Sequence, residues 1–305
     1  MNFIEKLRAS AQKTGSIVCM GIDPVIEAIP VRFRERHSEE NGPEVILPYF
    51  LEIFRQMNEK RVQPGAFKLN PGFFERHDVP AEGYHGGTDA LEGVISGLRR
   101  LFPAVPIILD FKRGDIGPSS ENYAKVGFNR GVDAVTVHPY MGTDSVQPFV
   151  LLCNDHDGMG AYILNRTSNQ GAGDFQDLQV VAGDGATKPL YMVVAGKIVE
   201  WARGHPGVGA VVGATSPQEL SELASFYAGK EIPLLIPGVG GQGGDAGQVA
   251  QVLRVASYDL SIVRINSSSG ITHPWVKKKN PAPEDFSTVC VAELMRLNRQ
   301  IGYEP

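Results

Sequence analysis

The sequence predicts an α/β protein, a (β/α)8 barrel, on three observations. Eight short β-rich runs recur with room for a helix between successive runs. Several runs are continuously apolar (IVCM, IIL, AVTV, AVV, LLI), as strands covered on both faces are. Polar and glycine-rich clusters follow the strands, on the side where barrel enzymes build their sites. An open doubly wound sheet is the alternative arrangement, and the count of eight favours the closed barrel.

Taken in order, the first run is 16–20, followed by Gly21-Ile22-Asp23-Pro24. The second, 65–69, leads into Asn70-Pro71-Gly72, and the third, 106–110, into Lys112-Arg113-Gly114-Asp115. The fourth is 134–138; the fifth, 161–164, precedes Asn165-Arg166-Thr167-Ser168. Runs 209–212 and 233–236 are the sixth and seventh, the latter opening onto the glycine-rich 238–244, and 260–265 is the eighth, ahead of 266–270. Helix-like segments fall at 43–59, 88–101, 119–129, 188–202, 217–227 and 244–256. The 305 residues exceed the roughly 250 of a typical barrel. Stretches 34–41, 76–87 and 169–186 read as rim insertions that take up the excess, so 1–305 is expected to be one domain.

Hydrophobic residues make up 42% and charged residues 21%, which excludes wholesale disorder, and 35 Gly with 21 Pro imply many tight turns. A formal charge of −5 offers no global basic surface, so nucleic acid is not an expected partner. Cys19, Cys153 and Cys290 lie far apart without metal-ligand spacing and read as small core residues of a protein in a reducing compartment. The start, MNFIEKLRASAQKTG, lacks the apolar run of a signal peptide, and no segment reaches the ~20 apolar residues needed to span a bilayer. A cytoplasmic protein without membrane contact is expected.

The run LDFKRGDIG ends the third strand with alternating charges. Side chains two apart on a strand share a face, so Asp110 and Lys112 should point the same way, with Lys68 of the preceding strand beside them. An alternating Lys–Asp–Lys set offsets part of the cost of burying charge and fixes each ionisation state. A rim salt bridge without chemistry is the plainer reading of the same residues. His138 stands alone at a strand end and reads as a structural hydrogen-bonding residue. The glycines of 238–244 let backbone N–H groups approach an anion, with the dipole of a following helix behind them, and 266–271 could close that site.

These motifs together carry a resemblance. DFKRGDIG, with GIDP after the first strand, FKLNPGFFE at the second, NRTSNQG after the fifth and PGVGGQGGD after the seventh, resembles the orotidine 5′-phosphate decarboxylase family, particularly its longer bacterial-type (type 2) subfamily. The resemblance implies a cofactor-independent lyase with no metal site, acting on a small nucleotide in uridine 5′-phosphate biosynthesis. It makes Lys68, Asp110, Lys112 and Asp115 the catalytic tetrad, with Asp115 reaching the partner subunit's site in a homodimer. Lys112 would protonate C6 as carbon dioxide leaves, and Asp110 would face the substrate carboxylate. Asp23 and Lys68 would bind ribose hydroxyls, Ser168 the pyrimidine amide edge, and Ile116 would line a dry pocket. Gly240, Gly241, Gln242, Ser268 and Ser269 would hold the phosphate, with a Gln of 169–186 closing over it. The family commonly has an Arg where this chain has Ser269, leaving Arg264 and Arg166 as candidate substitutes. A Mg²⁺-dependent phosphosugar decarboxylase or aldolase of the same barrel group, or a non-catalytic phosphometabolite-binding barrel, remain alternatives.

Overall fold

In the computed structural model, eight parallel strands close into a barrel. Residues 1–38, 42–154, 158–181, 185–240 and 243–305 are described. The strands are β1 Val18–Ile22, β2 Ala66–Leu69, β3 Ile107–Arg113, β4 Ala134–Val137, β5 Gly160–Arg166, β6 Val208–Val212, β7 Leu234–Ile236 and β8 Val263–Ser267. Each pairs with its sequence neighbour, and β1 pairs with β8 in the register Val18↔Ile265 to complete the ring. All residues of β1, β2, β4 and β6 are buried, because barrel lumen lies on one side and helices on the other.

The helices 46–59 and 86–101 pack side by side outside β2 and β3, and the helix Phe286–Ile301 flanks the first of them. Beneath the barrel, the helix Phe3–Thr14 covers the N-terminal strand ends. A reciprocal cap fixes its start, Asn2 Oδ1 accepting from Glu5 N–H (3.0 Å) while Glu5 Oε2 accepts from Asn2 N–H (2.9 Å). Its Phe3 meets Tyr162 of β5 edge to face, with ring centroids 5.8 Å apart. No helix among the described residues is long and apolar enough to cross a membrane.

All eight expected strands are present with ends shifted by a few residues, and three of the shifted strand and helix boundaries have plain local reasons. The run 260–265 opens as a 3-10 turn, Leu260–Ile262, because Asp259 Oδ1 accepts from both the N–H (3.0 Å) and the hydroxyl of Ser261; the strand starts only at Val263. The helix expected from 188 begins at Leu190, after Pro189, and Thr187–Pro189 instead pairs antiparallel with Gln179–Val181 of the rim insertion. The helix expected from 244 starts at Ala246, with Asp245 as its cap. The stretch 34–41 is in part the end of the helix Val31–His37, and its residues 39–41 lie outside those described.

Candidate active site

The strand tops surround a cavity of about 620 Å³ at the C-terminal mouth of the barrel. At its base stands the ionic cluster. Lys68 Nζ of β2 donates to Asp110 Oδ2 at 2.8 Å, Lys112 Nζ donates to Asp110 Oδ1 at 2.6 Å, and the Thr136 hydroxyl of β4 donates to the same Oδ1 at 2.9 Å. The Lys68 side chain is 5% exposed and that of Asp110 11%, whereas Lys112 is 47% exposed and faces the opening.

Asp110 and Lys112 meet, but not by the strand alternation the sequence suggests. The β3–β4 register slips between Leu109↔Val135 and Arg113↔Val137, so β3 carries extra residues there. Lys112 takes the left-handed conformation, φ 45°, and its N–H is held by Thr136 Oγ1 at 3.0 Å. A non-glycine residue in that region costs about 1–2 kcal/mol. The distortion turns the ammonium back over the carboxylate.

Burial alone would push the Asp110 carboxyl up, but the charges of Lys68 and Lys112 dominate and hold it well below the usual carboxylate range. Burial would likewise lower Lys68, and here Asp110 and then Asp23 overcome it and raise the ammonium above its ordinary value. Both shifts favour the charged pair. Cys19, buried against the same cluster, is pushed up to about 12 by desolvation and stays a neutral thiol.

Asp23 and Asn266 line the cavity with buried Oδ1 atoms that have no hydrogen-bond partner among the described residues. An unsatisfied buried acceptor costs about 1–3 kcal/mol, which a ligand hydroxyl or N–H donating into the cavity would relieve. Ser168, Thr167 and Asn169 form another wall, and Gly213 permits it, since a Cβ there would stand 2.9 Å from the Ser168 backbone. Gln176 of the insertion reaches the same wall: its Oε1 accepts from Thr167 N–H and its Nε2 donates to Thr167 Oγ1, both at 2.8 Å. Pro237, Gly238, Val239, Ser268 and Ser269 line the remaining side. Among the described residues no group of three His, Cys, Asp or Glu is placed to hold a metal ion.

The profile of the orotidine 5′-phosphate decarboxylase / HUMPS family matches residues 66–273. This chain belongs to that family. It is 40% identical over 243 residues to orotidine 5′-phosphate decarboxylase of Janthinobacterium sp. (strain Marseille), covering 79% of each chain. It is 38% identical over 274 residues to that of Cupriavidus metallidurans, covering 90% of each. The solved structure of Leishmania donovani OMP decarboxylase superimposes with a TM-score of 0.70 at 26% identity, over 99% of this chain and all of that one.

Within this family member, Asp23, Lys68, Asp110, Lys112, Ser168, Ser268 and Ser269 converge on the cavity as the motifs anticipated. Three expected residues do not line it. Asp115 and Ile116 stand on the loop after β3, where Asp115 Oδ1 accepts from Ile116 N–H at 2.8 Å and Ile116 is 56% exposed. Gly240 lies one residue beyond the lining, its N–H donating to Gly244 O at 3.0 Å. Gly241 and Gln242 lie outside the described residues.

Both arginines offered in place of an Arg at 269 are committed elsewhere. Arg264, fully buried in the barrel floor, donates to the carbonyls of Leu7, Gly65, Ser261 and Val263. Arg166 anchors the insertion, with its Nε 3.1 Å from Asp177 Oδ1 and its Nη1 donating to Thr167 O at 2.9 Å. The helix dipole expected behind the glycine loop is also taken: the Asp245 carboxylate caps that helix, accepting from Gln248 N–H at 2.8 Å. His138 packs against Gly114, where a Cβ would come within 2.7 Å of its Nε2, and its backbone N–H donates to Arg113 O. Sequence reading passed over Thr136, which holds Asp110 and the Lys112 backbone, and Lys277, whose Nζ donates to Gly240 O at 2.9 Å. Lys277 sits in a KKK run that looks like a solvated face, and nothing in its sequence context points at the glycine loop.

Proposed function

We propose that this protein decarboxylates orotidine 5′-phosphate to uridine 5′-phosphate and carbon dioxide, the last step of uridine 5′-phosphate biosynthesis. The observation that carries the reading is the Lys68–Asp110–Lys112 cluster, with Lys68 and Asp110 buried and Lys112 facing the opening, at the base of a cavity whose Asp23 and Asn266 acceptors have no partner among the described residues. The bond from C6 to the carboxylate breaks, carbon dioxide departs, and the electron pair stays on C6. That sp² carbanion cannot spread into the ring's π system, so it needs charge stabilisation at once. The Lys112 ammonium, held by Asp110 before substrate arrives while Thr136 fixes the Lys112 backbone N–H, supplies it without reorganisation and transfers its proton to C6, then regains one from water. Asp110 stays anionic and faces the substrate carboxylate; Asp23 and Lys68 receive the ribose hydroxyls, and Ser168 the amide edge of the pyrimidine.

A Mg²⁺-dependent reaction on a phosphosugar fits the residues less well, since both oxygens of Asp110 are already engaged by ammonium groups. The active unit is proposed to be a homodimer in which Asp115 and Ile116 complete the partner subunit's site. The exposed apolar residues near that loop, Tyr123, Val126, Tyr140 and Met141, support a face that a second copy covers. The whole chain is taken as one barrel domain. Three unpaired, buried cysteines are consistent with a reducing compartment such as the cytoplasm. The test is the fall in ultraviolet absorbance of orotidylate with purified protein; absence of turnover, with or without added Mg²⁺, sinks the reading.

A further inference from the structure

We infer that Lys277 is the cation that holds the phosphate of the substrate. The inference rests on the proposed decarboxylase reading and begins from a charge balance. The charged residues lining the cavity are Lys68, Lys112, Asp23 and Asp110, two ammonium groups against two carboxylates, so their formal charges cancel. A nucleotide bringing a carboxylate and a phosphate of about −1.5 to −2 therefore enters a site with no surplus positive charge of its own. Gly238 and Val239 of the glycine loop line the cavity without charge, Ser269 contributes a hydroxyl, and the helix behind the loop is capped by Asp245. Arg264 and Arg166 are fixed at the floor and at the insertion.

Lys277 fills that gap by position. It ends the short helix Pro274–Lys277, which follows Ser269–Thr272 directly above β8, and its ammonium is brought to the loop after β7. Its contact there, the Gly240 carbonyl, is neutral, and no carboxylate among the described residues pairs with it. The adjacent Lys278 is different, since it is paired with Glu293 at 3.2 Å. A lysine on an exposed helix end keeps a flexible stem, so the ammonium can leave a carbonyl for a phosphate oxygen within hydrogen-bond reach of Gly238, Val239 and Ser269. The cation thus comes from the element after β8 rather than from β8 itself.

The experiment compares binding of uridine 5′-phosphate and uridine to the full-length protein, alongside orotidylate turnover. Lys277→Ala should weaken the nucleotide about 10- to 100-fold, the loss expected for one charge-assisted hydrogen bond, while leaving uridine affinity unchanged. Lys277→Arg should keep most of the nucleotide affinity, and Lys278→Ala, which removes a neighbouring charge outside the site, should leave both ligands as they are. Nucleotide affinity within twofold of the unaltered protein in Lys277→Ala overturns the assignment. So does an equal loss for uridine and its phosphate, which would mark a structural role. If the unaltered protein turns over orotidylate while Lys277→Ala behaves like it, only the lysine assignment falls; if the unaltered protein neither binds the nucleotide nor turns over orotidylate, the functional reading falls with it.

Discussion

Removing the Asp110 carboxylate tests whether the charged cluster is held together as a unit. In Asp110→Ala, Lys68 loses its 2.8 Å partner while its side chain remains 5% exposed, whereas Lys112, 47% exposed, can turn to water. Breaking a buried ion pair from one side costs about 3–5 kcal/mol, because the other charge is left uncompensated. The lower end applies here, since Asp23 remains near Lys68 and shares in raising it. A loss of about 3 kcal/mol is therefore expected from urea denaturation at one fixed protein concentration. Because Asp110 is depressed below the ordinary ~3.9, its contribution is present above that pH and is lost only as pH falls through its lowered value. Lys68 is raised, so its contribution is intact below ~10.4 and fades only on the alkaline side. The cost of the substitution should accordingly be flat from about pH 5 to 9. Lys68→Met, alone and combined with Asp110→Ala, completes a double-mutant cycle in which the pair should be less destabilised than the sum of the singles. Additivity within about 0.5 kcal/mol would refute the idea that the two charges stabilise each other.

Three further outcomes follow from the same geometry. Lys112→Ala should reduce orotidylate turnover by at least the roughly 10²–10⁴-fold of a lost general acid, while lowering the urea midpoint less than Asp110→Ala does, since the side chain faces the opening and Asp110 keeps Lys68; retained turnover removes it from the proton-donor role. Mixing inactive Asp115→Ala and Lys112→Ala proteins should restore activity if sites are shared, and no recovery despite demonstrated subunit exchange counts against the shared site. His273, buried and stacked 5.6 Å from Tyr49, is pushed down to about 4 by desolvation. Between about pH 6.5 and 4 the unfolded chain binds a proton there that the folded chain does not, so stability should fall by about 3 kcal/mol as pH drops through that window. His273→Phe should flatten that slope relative to the unaltered protein.

The barrel was legible because its signal is redundant: eight β-rich runs separated by helix-length intervals fit few other arrangements. Its edges were not, because single side chains decide them. Asp259 converts the start of an apolar run into a turn, and Pro189 delays a helix long enough for 187–189 to pair as a strand. The charged cluster was legible as residue types, yet the route by which Lys112 reaches Asp110 was not. A left-handed lysine leaves no mark on a sequence, where only glycine or asparagine would advertise that conformation. The tether from Lys277 to Gly240 joins loops 37 residues apart, and no local pattern encodes it.

Two buried cations show why burial by itself does not identify a functional charge. Arg264 and Lys68 are both almost inaccessible, at 0% and 4% exposure. Arg264 spends its guanidinium on four backbone carbonyls at the floor, so its hydrogen-bonding capacity is used within the fold. Asn266, two residues further along β8, shares the face of Arg264 but stands one layer higher, and there a buried acceptor is left unpartnered at the cavity. Tyr162 and Leu164 on β5 repeat the pattern, the first packed on Phe3 and the second lining the mouth. Parity along the strand sends a side chain inward, but height along it decides whether that side chain closes the floor or faces a substrate. Lys68 belongs to the upper layer, and its partner is a carboxylate that also holds Lys112. That shared carboxylate, rather than depth, is what sets Lys68 apart from Arg264.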